Sequence, residues 1–246
     1  MSGAPPSGRS GGPGGGPGGG PGGRSRGGKV RVKTARRRTP QSNRWLERQL
    51  NDPYVAAAKA QGYRSRAAFK LKELDDQFNM LAGVDRVVDL GAAPGGWCQV
   101  VKQKRPKAKV VGMDLLLVDP LPGVDLFQKD ITDDDSEALI LATLGGAADL
   151  VLSDMAANTV GHKQTDHLRT MGLIEAALDM ATRLLRPGGG FVSKVLAGGG
   201  DGELTAALRR HFTTVKHVKP PASRKGSSEW YVVAQGFKPP AAAAVE

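Results

Sequence analysis

Between Gln41 and Phe237 the apolar positions follow two rhythms: a helical period near 3.6, and the alternation or short unbroken runs of buried strands. Two helices come first. One is predicted over Ser42–Gln61, and the next starts at Ser65 and runs through Ala67, Phe69, Leu71 and Leu74 to Phe78. Strands and helices then take turns. RVVDL (86–90) reads as a buried strand and leads into a helix from Gly95 to Gln103. KVVGMD (109–114) and VDLFQKD (124–130) read as the second and third strands, Ser136–Leu144 as a helix, and DLVLSD (149–154) as the fourth strand. A long helix over Thr165–Leu185 stops at Arg186-Pro187-Gly188, since proline cannot continue the hydrogen-bond ladder. GFVSKVL (190–196), a helix over Gly202–His211, TTVKHV (213–218) and EWYVVAQGF (229–237) complete the series.

This alternation predicts an α/β fold, a doubly wound, Rossmann-like domain with a mainly parallel sheet. The last two strands lie too close in sequence for a crossover helix, which makes the final pair antiparallel. The expected domain covers residues 40–238, between a Gly/Pro-rich stretch at 1–39 and a short end at 239–246. No apolar run approaches the ~18 residues of a membrane span. Cys98 is the single cysteine, so no intramolecular disulfide can form, which suits a reducing compartment. A cytoplasmic, monomeric protein is expected, and no metal is called for.

Charge changes the picture at the N-terminus. The formal net charge is +11, yet residues 1–39 carry nine Lys or Arg and no acid, leaving only +2 for the rest. Ser2–Gly28 has too few apolar side chains to offset its ordering entropy, and reads as disordered. Such an arm suits a polyanionic partner; the plainer reading is a solubilising tail.

The strongest local signal is VVDLGAAPGGW, Val87–Trp97, where a buried strand runs through glycines into a helix. Ligands of open α/β sheets bind at such turns, beyond the carboxyl ends of the strands. Gly91 permits a tight turn, and Gly95 and Gly96 permit close approach of a ligand. The spacing is G-x-x-x-G-G, not the G-x-G-x-x-G of a dinucleotide site, and no phosphate-binding Lys-Ser or Lys-Thr follows. A cofactor without phosphate, such as S-adenosylmethionine, fits better; plain turn chemistry is the alternative. Asp114, Asp130 and Asp154 end the second, third and fourth strands and converge on one crevice. There Asp114 can accept hydrogen bonds from ribose hydroxyls, Asp130 can reach an adenine edge, and all three can face cationic groups. Singly, each is as well read as a solvated turn residue or a helix cap.

Lys194 sits in an apolar strand, where a lysine should be paired or functional. Glu229 opens the last strand and can reach the same sheet edge. Lys70 lies on the second helix and, taken alone, reads as a solvated lysine. Here the segments SRAAFKL, VVDLGAAPGGW, MDLL, PGVD, SDMAAN, LRPGGGFVSKV and SSEWYVVA together resemble the FtsJ/RrmJ-type ribosomal RNA large-subunit 2′-O-methyltransferases, from Tyr63 to Phe237. The resemblance implies a methyltransferase fold and a catalytic tetrad of Lys70, Asp154, Lys194 and Glu229. It implies S-adenosylmethionine held by Gly95, Trp97, Asp114, Asp130 and Asp154. The implied substrate is a uridine of 23S ribosomal RNA, presented in the large ribosomal subunit. Two departures stand out: Ala157 replaces the proline of S-D-M-A-P-N, and Ala197–Glu203 is unusually rich in glycine.

The chemistry asks for in-line alignment of a poorly nucleophilic ribose hydroxyl with the methyl group. Lys194 can serve as base if Lys70 and burial lower its pKa, or stay charged and steer the oxygen; Asp154 and Glu229 favour the charged form. Arg64, Arg66, Lys70 and Lys72, with Lys219, Arg224 and Lys225, can flank this edge and grip phosphates, while Lys102–Lys109 reads as a solvated face. With three Trp, three Tyr and six Phe, a broad base-stacking platform is not expected. The competing readings are a nicotinamide oxidoreductase, disfavoured by the glycine spacing, and a non-catalytic RNA-binding ribosome-assembly factor, disfavoured by the intact tetrad.

Overall fold

A computed structural model describes residues 39–157, 162–196 and 201–239. The basic run before Thr39, residues 197–200 of the glycine-rich departure and the end after Pro239 lie outside the described residues. The elements run α1 (Pro40–Leu50), α2 (Pro53–Ala60), α3 (Ala67–Phe78), β1 (Arg86–Leu90), α4 (Gly96–Lys104), β2 (Lys109–Asp114) and β3 (Val124–Gln128). They continue as α5 (Ser136–Leu144), β4 (Ala148–Ser153), α6 (Lys163–Leu184), β5 (Leu185–Leu196), α7 (Asp201–His211), β6 (Phe212–Val218) and β7 (Glu229–Phe237).

The helix expected over Ser42–Gln61 is two helices. Pro53 has no amide hydrogen and disfavours a helical Asp52, so the chain breaks at Asn51-Asp52. Asp52 then caps α2, its Oδ1 accepting from the amide of Tyr54 at 3.0 Å. The other differences are at element ends. β5 begins at Leu185, directly after α6, and a register irregularity against β4 accommodates Arg186-Pro187-Gly188. β3 stops at Gln128, short of Asp130.

The seven strands form one sheet in the order β3-β2-β1-β4-β5-β7-β6. β1 through β5 pair in parallel; β7 runs antiparallel to both β5 and β6. Alternate side chains feed two cores, as a pleated strand demands. Val88, Leu90, Val111, Met113 and Val151 pack beneath α5, α6 and α7. Val87, Val110, Leu150, Leu152 and Val192 pack beneath α3 and α4. Burial on both faces explains why these strands read as nearly continuous apolar runs. Among the described residues no helix is long and apolar enough to cross a membrane.

This topology decides where the site lies. The strand order reverses beside β1, with β2 and β4 on either side, and the carboxyl ends of β1, β2 and β4 open onto that switch point. Because β7 is antiparallel, its first residue, Glu229, comes to the end of the sheet where β5 finishes, opposite Leu196.

Candidate active site

A cavity of about 440 Å³ opens at the carboxyl ends of β1, β2 and β4. Met113, Leu115, Leu116, Ile131 and Met155 give it apolar walls, and Asp114, Asp130 and Asp154 line it with carboxylates. Its size suits a small molecule of cofactor dimensions. Asp114 accepts from the amides of Ala93 and Leu116, each at 2.8 Å, one per carboxylate oxygen, which ties the glycine loop to the end of β2. Each oxygen keeps a lone pair for a ligand hydroxyl. Asp130 Oδ1 accepts from the Thr132 amide at 2.9 Å and its hydroxyl at 2.8 Å; these bonds hold the carboxyl below its usual range and keep it ionised.

The glycine loop departs from expectation in one respect. Gly95 has φ +102°, a left-handed conformation only glycine adopts readily, and it caps α4. Gly96, however, packs on protein: a Cβ there would meet Ser65 Oγ at 2.5 Å. Its close approach is to the residues leading into α3. Trp97 is buried, donating from Nε1 to the carbonyl of Ala67 at 2.8 Å, with its ring 5.8 Å from that of Tyr231. Thus Asp114, Asp130 and Asp154 line the main cavity, whereas Gly95 and Trp97 do not: Gly95 caps α4, and Trp97 lines a smaller cavity alongside.

At the end of the cavity four residues far apart in sequence meet. Lys194 Nζ lies 3.1 Å from Asp154 Oδ1 and donates to the Asp154 carbonyl at 2.7 Å. Lys70 Nζ is 3.8 Å from Asp154 Oδ1 and 3.6 Å from Glu229 Oε2. Both lysines are buried, at 7% and 6% exposure, so the two acids supply the pairing that burial of charge requires. Tyr231 joins them: its hydroxyl accepts from Lys70 Nζ at 2.8 Å and donates to Asp154 Oδ1 at 2.6 Å. Burial, and then the charge of Asp154, push this phenol well above its ordinary pKa, so it remains a donor. The sequence reading missed Tyr231. The available signal was its place two residues after Glu229, on the same face of an alternating strand.

Asp89 was missed as well. It sits within β1, 1% exposed, with Oδ2 accepting from the Cys98 thiol at 3.1 Å and Oδ1 without a partner among the described residues. Burial raises its pKa to about 7, with the charges of Asp154 and Asp114 adding to the effect. Ser65 Oγ is likewise buried and unpartnered. Both residues line a small cavity that shares Gly91, Ala93 and Asp154 with the larger one.

Comparison with known proteins now decides the family. Residues 63–237 match the FtsJ-like methyltransferases. The chain belongs to that family. It is 65% identical over 208 residues to the "Ribosomal RNA large subunit methyltransferase E" of Novosphingobium aromaticivorans, covering 85% of this chain and 94% of that one. The protein of the same name from Zymomonas mobilis is 64% identical over 211 residues, covering 86% of this chain and 96% of that one. A crystal structure described as a ribosomal RNA methyltransferase from Plasmodium falciparum aligns with a TM-score of 0.65 at 30% identity. It covers 71% of this chain and 98% of that one. The doubly wound methyltransferase fold read from the sequence is therefore the fold observed.

In this FtsJ-like domain, most of the basic residues expected around the site bind the protein itself. Arg64 donates to the carbonyls of Pro94 at 3.2 Å, Asp119 at 2.7 Å and Pro120 at 2.7 Å, bracing the glycine loop. Arg66 pairs with Asp52 at 2.8 Å, and Lys219 donates to the Ser227 carbonyl at 2.5 Å. Lys72 Nζ lies 5.4 Å from the centre of the Tyr63 ring, and Lys225 is exposed. The Lys102–Lys109 run is also partly occupied: Lys104 pairs with Asp75 and Asp76, and Arg105 with Asp85.

Proposed function

We propose that this protein transfers a methyl group from S-adenosylmethionine to the 2′-hydroxyl of a uridine ribose in 23S ribosomal RNA of the large subunit. The observation that carries this reading is the Lys194–Asp154–Lys70–Glu229 cluster, linked through Tyr231, at the end of a cavity lined with carboxylates. The relatives named as large-subunit ribosomal RNA methyltransferases support the same substrate.

The residues present fit the cofactor. The main cavity offers apolar wall from Leu115 and Leu116 for a purine, and carboxylates for ribose hydroxyls and cationic groups. The buried Asp89 Oδ1, unpartnered and close to neutral pH in its titration, suits an ammonium group, as does the adjoining Ser65 Oγ. When bound, the cofactor supplies an electrophilic methyl group. Everything else falls to the chain. Asp154 fixes Lys194 through both its carbonyl and its carboxylate, leaving the remaining Lys194 N–H available for a ribose oxygen. Tyr231 and Lys70 converge on the same Asp154 oxygen, Oδ1, and hold it in place, so Lys194 has one orientation. Lys194 then donates this N–H to the ribose oxygen and turns its lone pair towards the methyl group, the hydroxyl proton passing to solvent water as the C–O bond forms, while Glu229 holds Lys70.

The test is methyl transfer from labelled S-adenosylmethionine to large-subunit particles lacking the modification, with the modified nucleotide mapped. Transfer to a uridine 2′-oxygen supports the proposal; cofactor binding without transfer would favour the assembly-factor reading. A cytoplasmic, monomeric enzyme belongs to the same proposal and is tested by cell fractionation and light scattering.

A further inference from the structure

Two loops contribute walls to the main cavity. One is the glycine loop, residues 91–95; the other, residues 115–123, joins β2 to β3. Gly91 and Ala93 line the cavity from the first, Leu115 and Leu116 from the second. Little apolar burial holds the second loop. Leu115, Leu116 and Leu117 are 65%, 66% and 77% exposed, and of the four residues 115–118 Val118 alone is buried. The shape of this loop therefore depends on polar contacts. Asp114 makes one set, taking the Ala93 amide on one carboxylate oxygen and the Leu116 amide on the other.

Arg64 makes a second set. Its Nη1 donates to the carbonyls of Pro94 at 3.2 Å and Asp119 at 2.7 Å, and its Nη2 to that of Pro120 at 2.7 Å, so one guanidinium bridges both loops. It lies close against the glycine loop: a Cβ on Gly95 would meet Nη1 at 2.9 Å. Gln99 of α4 anchors the backbone that carries it. Its Oε1 accepts the Arg64 amide at 2.8 Å, and its Nε2 donates to the Gly62 carbonyl at 3.0 Å. All three acceptors of the guanidinium are neutral, and no carboxylate pairs with it among the described residues. Such a guanidinium acts through its shape, a planar fork that a lysine's point charge does not reproduce.

We propose that Arg64 is a positioning residue for S-adenosylmethionine: by tying Pro94 to Asp119 and Pro120 it fixes the two loops relative to each other, so that the cavity stands preformed for the cofactor. The proposal rests on the cofactor reading above, and it takes Arg64 out of the phosphate contacts expected from the sequence. A preformed cavity lowers the ordering cost of binding. The effect therefore belongs in cofactor affinity, not in affinity for RNA or in turnover at saturating cofactor.

Arg64→Lys keeps the charge and removes the fork. Calorimetry of the full chain with S-adenosylmethionine gives the dissociation constant. Steady-state transfer to under-methylated large-subunit particles gives kcat and the KM for particles, with melting temperature alongside. The expected result is a dissociation constant raised about tenfold, with kcat at saturating cofactor and KM for particles each changed less than about threefold. Should Arg64→Lys not fold, Gln99→Leu decides, because it loosens the anchor and leaves the guanidinium in place. There the dissociation constant should rise about threefold, and an unchanged one overturns the proposal. Normal cofactor affinity in a folded Arg64→Lys overturns it alone, whether the melting temperature falls, which shows a purely structural role, or the KM for particles rises, which shows a phosphate contact. A wild type that does not bind S-adenosylmethionine overturns the cofactor reading and this proposal with it.

Discussion

Lys194 and Asp154 touch twice: the ammonium donates to the Asp154 carbonyl at 2.7 Å and lies 3.1 Å from its Oδ1. The carbonyl belongs to the backbone just past β4 and cannot rotate away, so the lysine is aimed by main chain as well as by charge. Lys194→Ala should therefore abolish alignment of the hydroxyl while sparing the cofactor cavity. Methyl transfer should fall by roughly 10²- to 10⁴-fold, with the S-adenosylmethionine dissociation constant within a few-fold by calorimetry. Near-normal turnover in this variant would remove Lys194 from the centre of the mechanism.

Tyr231→Phe removes one hydroxyl from the centre of the cluster and little volume. Asp154 loses a donor and Lys70 an acceptor, and bonds to charged groups are each worth about 1.5–3 kcal/mol. Turnover should drop by roughly ten- to a hundredfold, with cofactor affinity little changed and a modestly lower melting temperature. Turnover equal to wild type would show that Asp154 keeps its geometry without the phenol.

Asp114→Ala should weaken cofactor binding by about 1–3 kcal/mol, the scale of lost hydrogen bonds. The same carboxylate accepts the amides of Ala93 and Leu116, so some loss of stability is expected as well. Calorimetry checks the first effect and thermal melting the second. An unchanged dissociation constant would move the adenosine elsewhere.

Asp89 sets a pH dependence. Its carboxyl titrates near 7 in the folded chain, against about 3.9 when unfolded. Between those values the folded state holds a proton that the unfolded state has released. Stability therefore falls as pH rises from about 4 to 7, and this contribution is constant above that window. Asp89→Asn should remove the slope and raise the melting temperature at pH 8, measured without cofactor. If the difference between the two proteins does not change with pH, Asp89 does not titrate in this range.

Deleting residues 1–39 removes nine cationic side chains and no acid. Cofactor binding should persist, while RNA association should weaken and its salt dependence become shallower as counterion release declines. Binding to large-subunit particles at several salt concentrations checks this. Equal slopes of log affinity against log salt would show that the arm does not touch RNA.

The alternation of apolar runs with helical periods determined the doubly wound sheet, because strands buried on both faces and helices buried on one leave different sequence patterns. The break at Asn51-Asp52-Pro53 was equally legible and was read through; the local chemistry of proline outweighed the continuing helical pattern. The glycine loop and the strand-end acids were visible because a strand's last residue must lie at the sheet's edge. Lys70 was different: by pattern alone it is a solvated lysine, and only its resemblance to a known motif marked it.

What the tertiary structure alone decided were contacts across long sequence separations. Tyr231 reaches Asp154 because the β5–β7 register sets it opposite Lys194, and register is a property of two strands together. Asp89 is perturbed because α4 closes over it, not because of anything in RVVDL. Arg64 and Arg66 looked like phosphate grips, yet their partners are carbonyls and a carboxylate between 14 and 156 positions away, in the glycine loop, at Asp119 and Pro120, at Asp52 and at Ala222. A charge in a sequence says what a side chain can bind; which partner reaches it first is settled by packing.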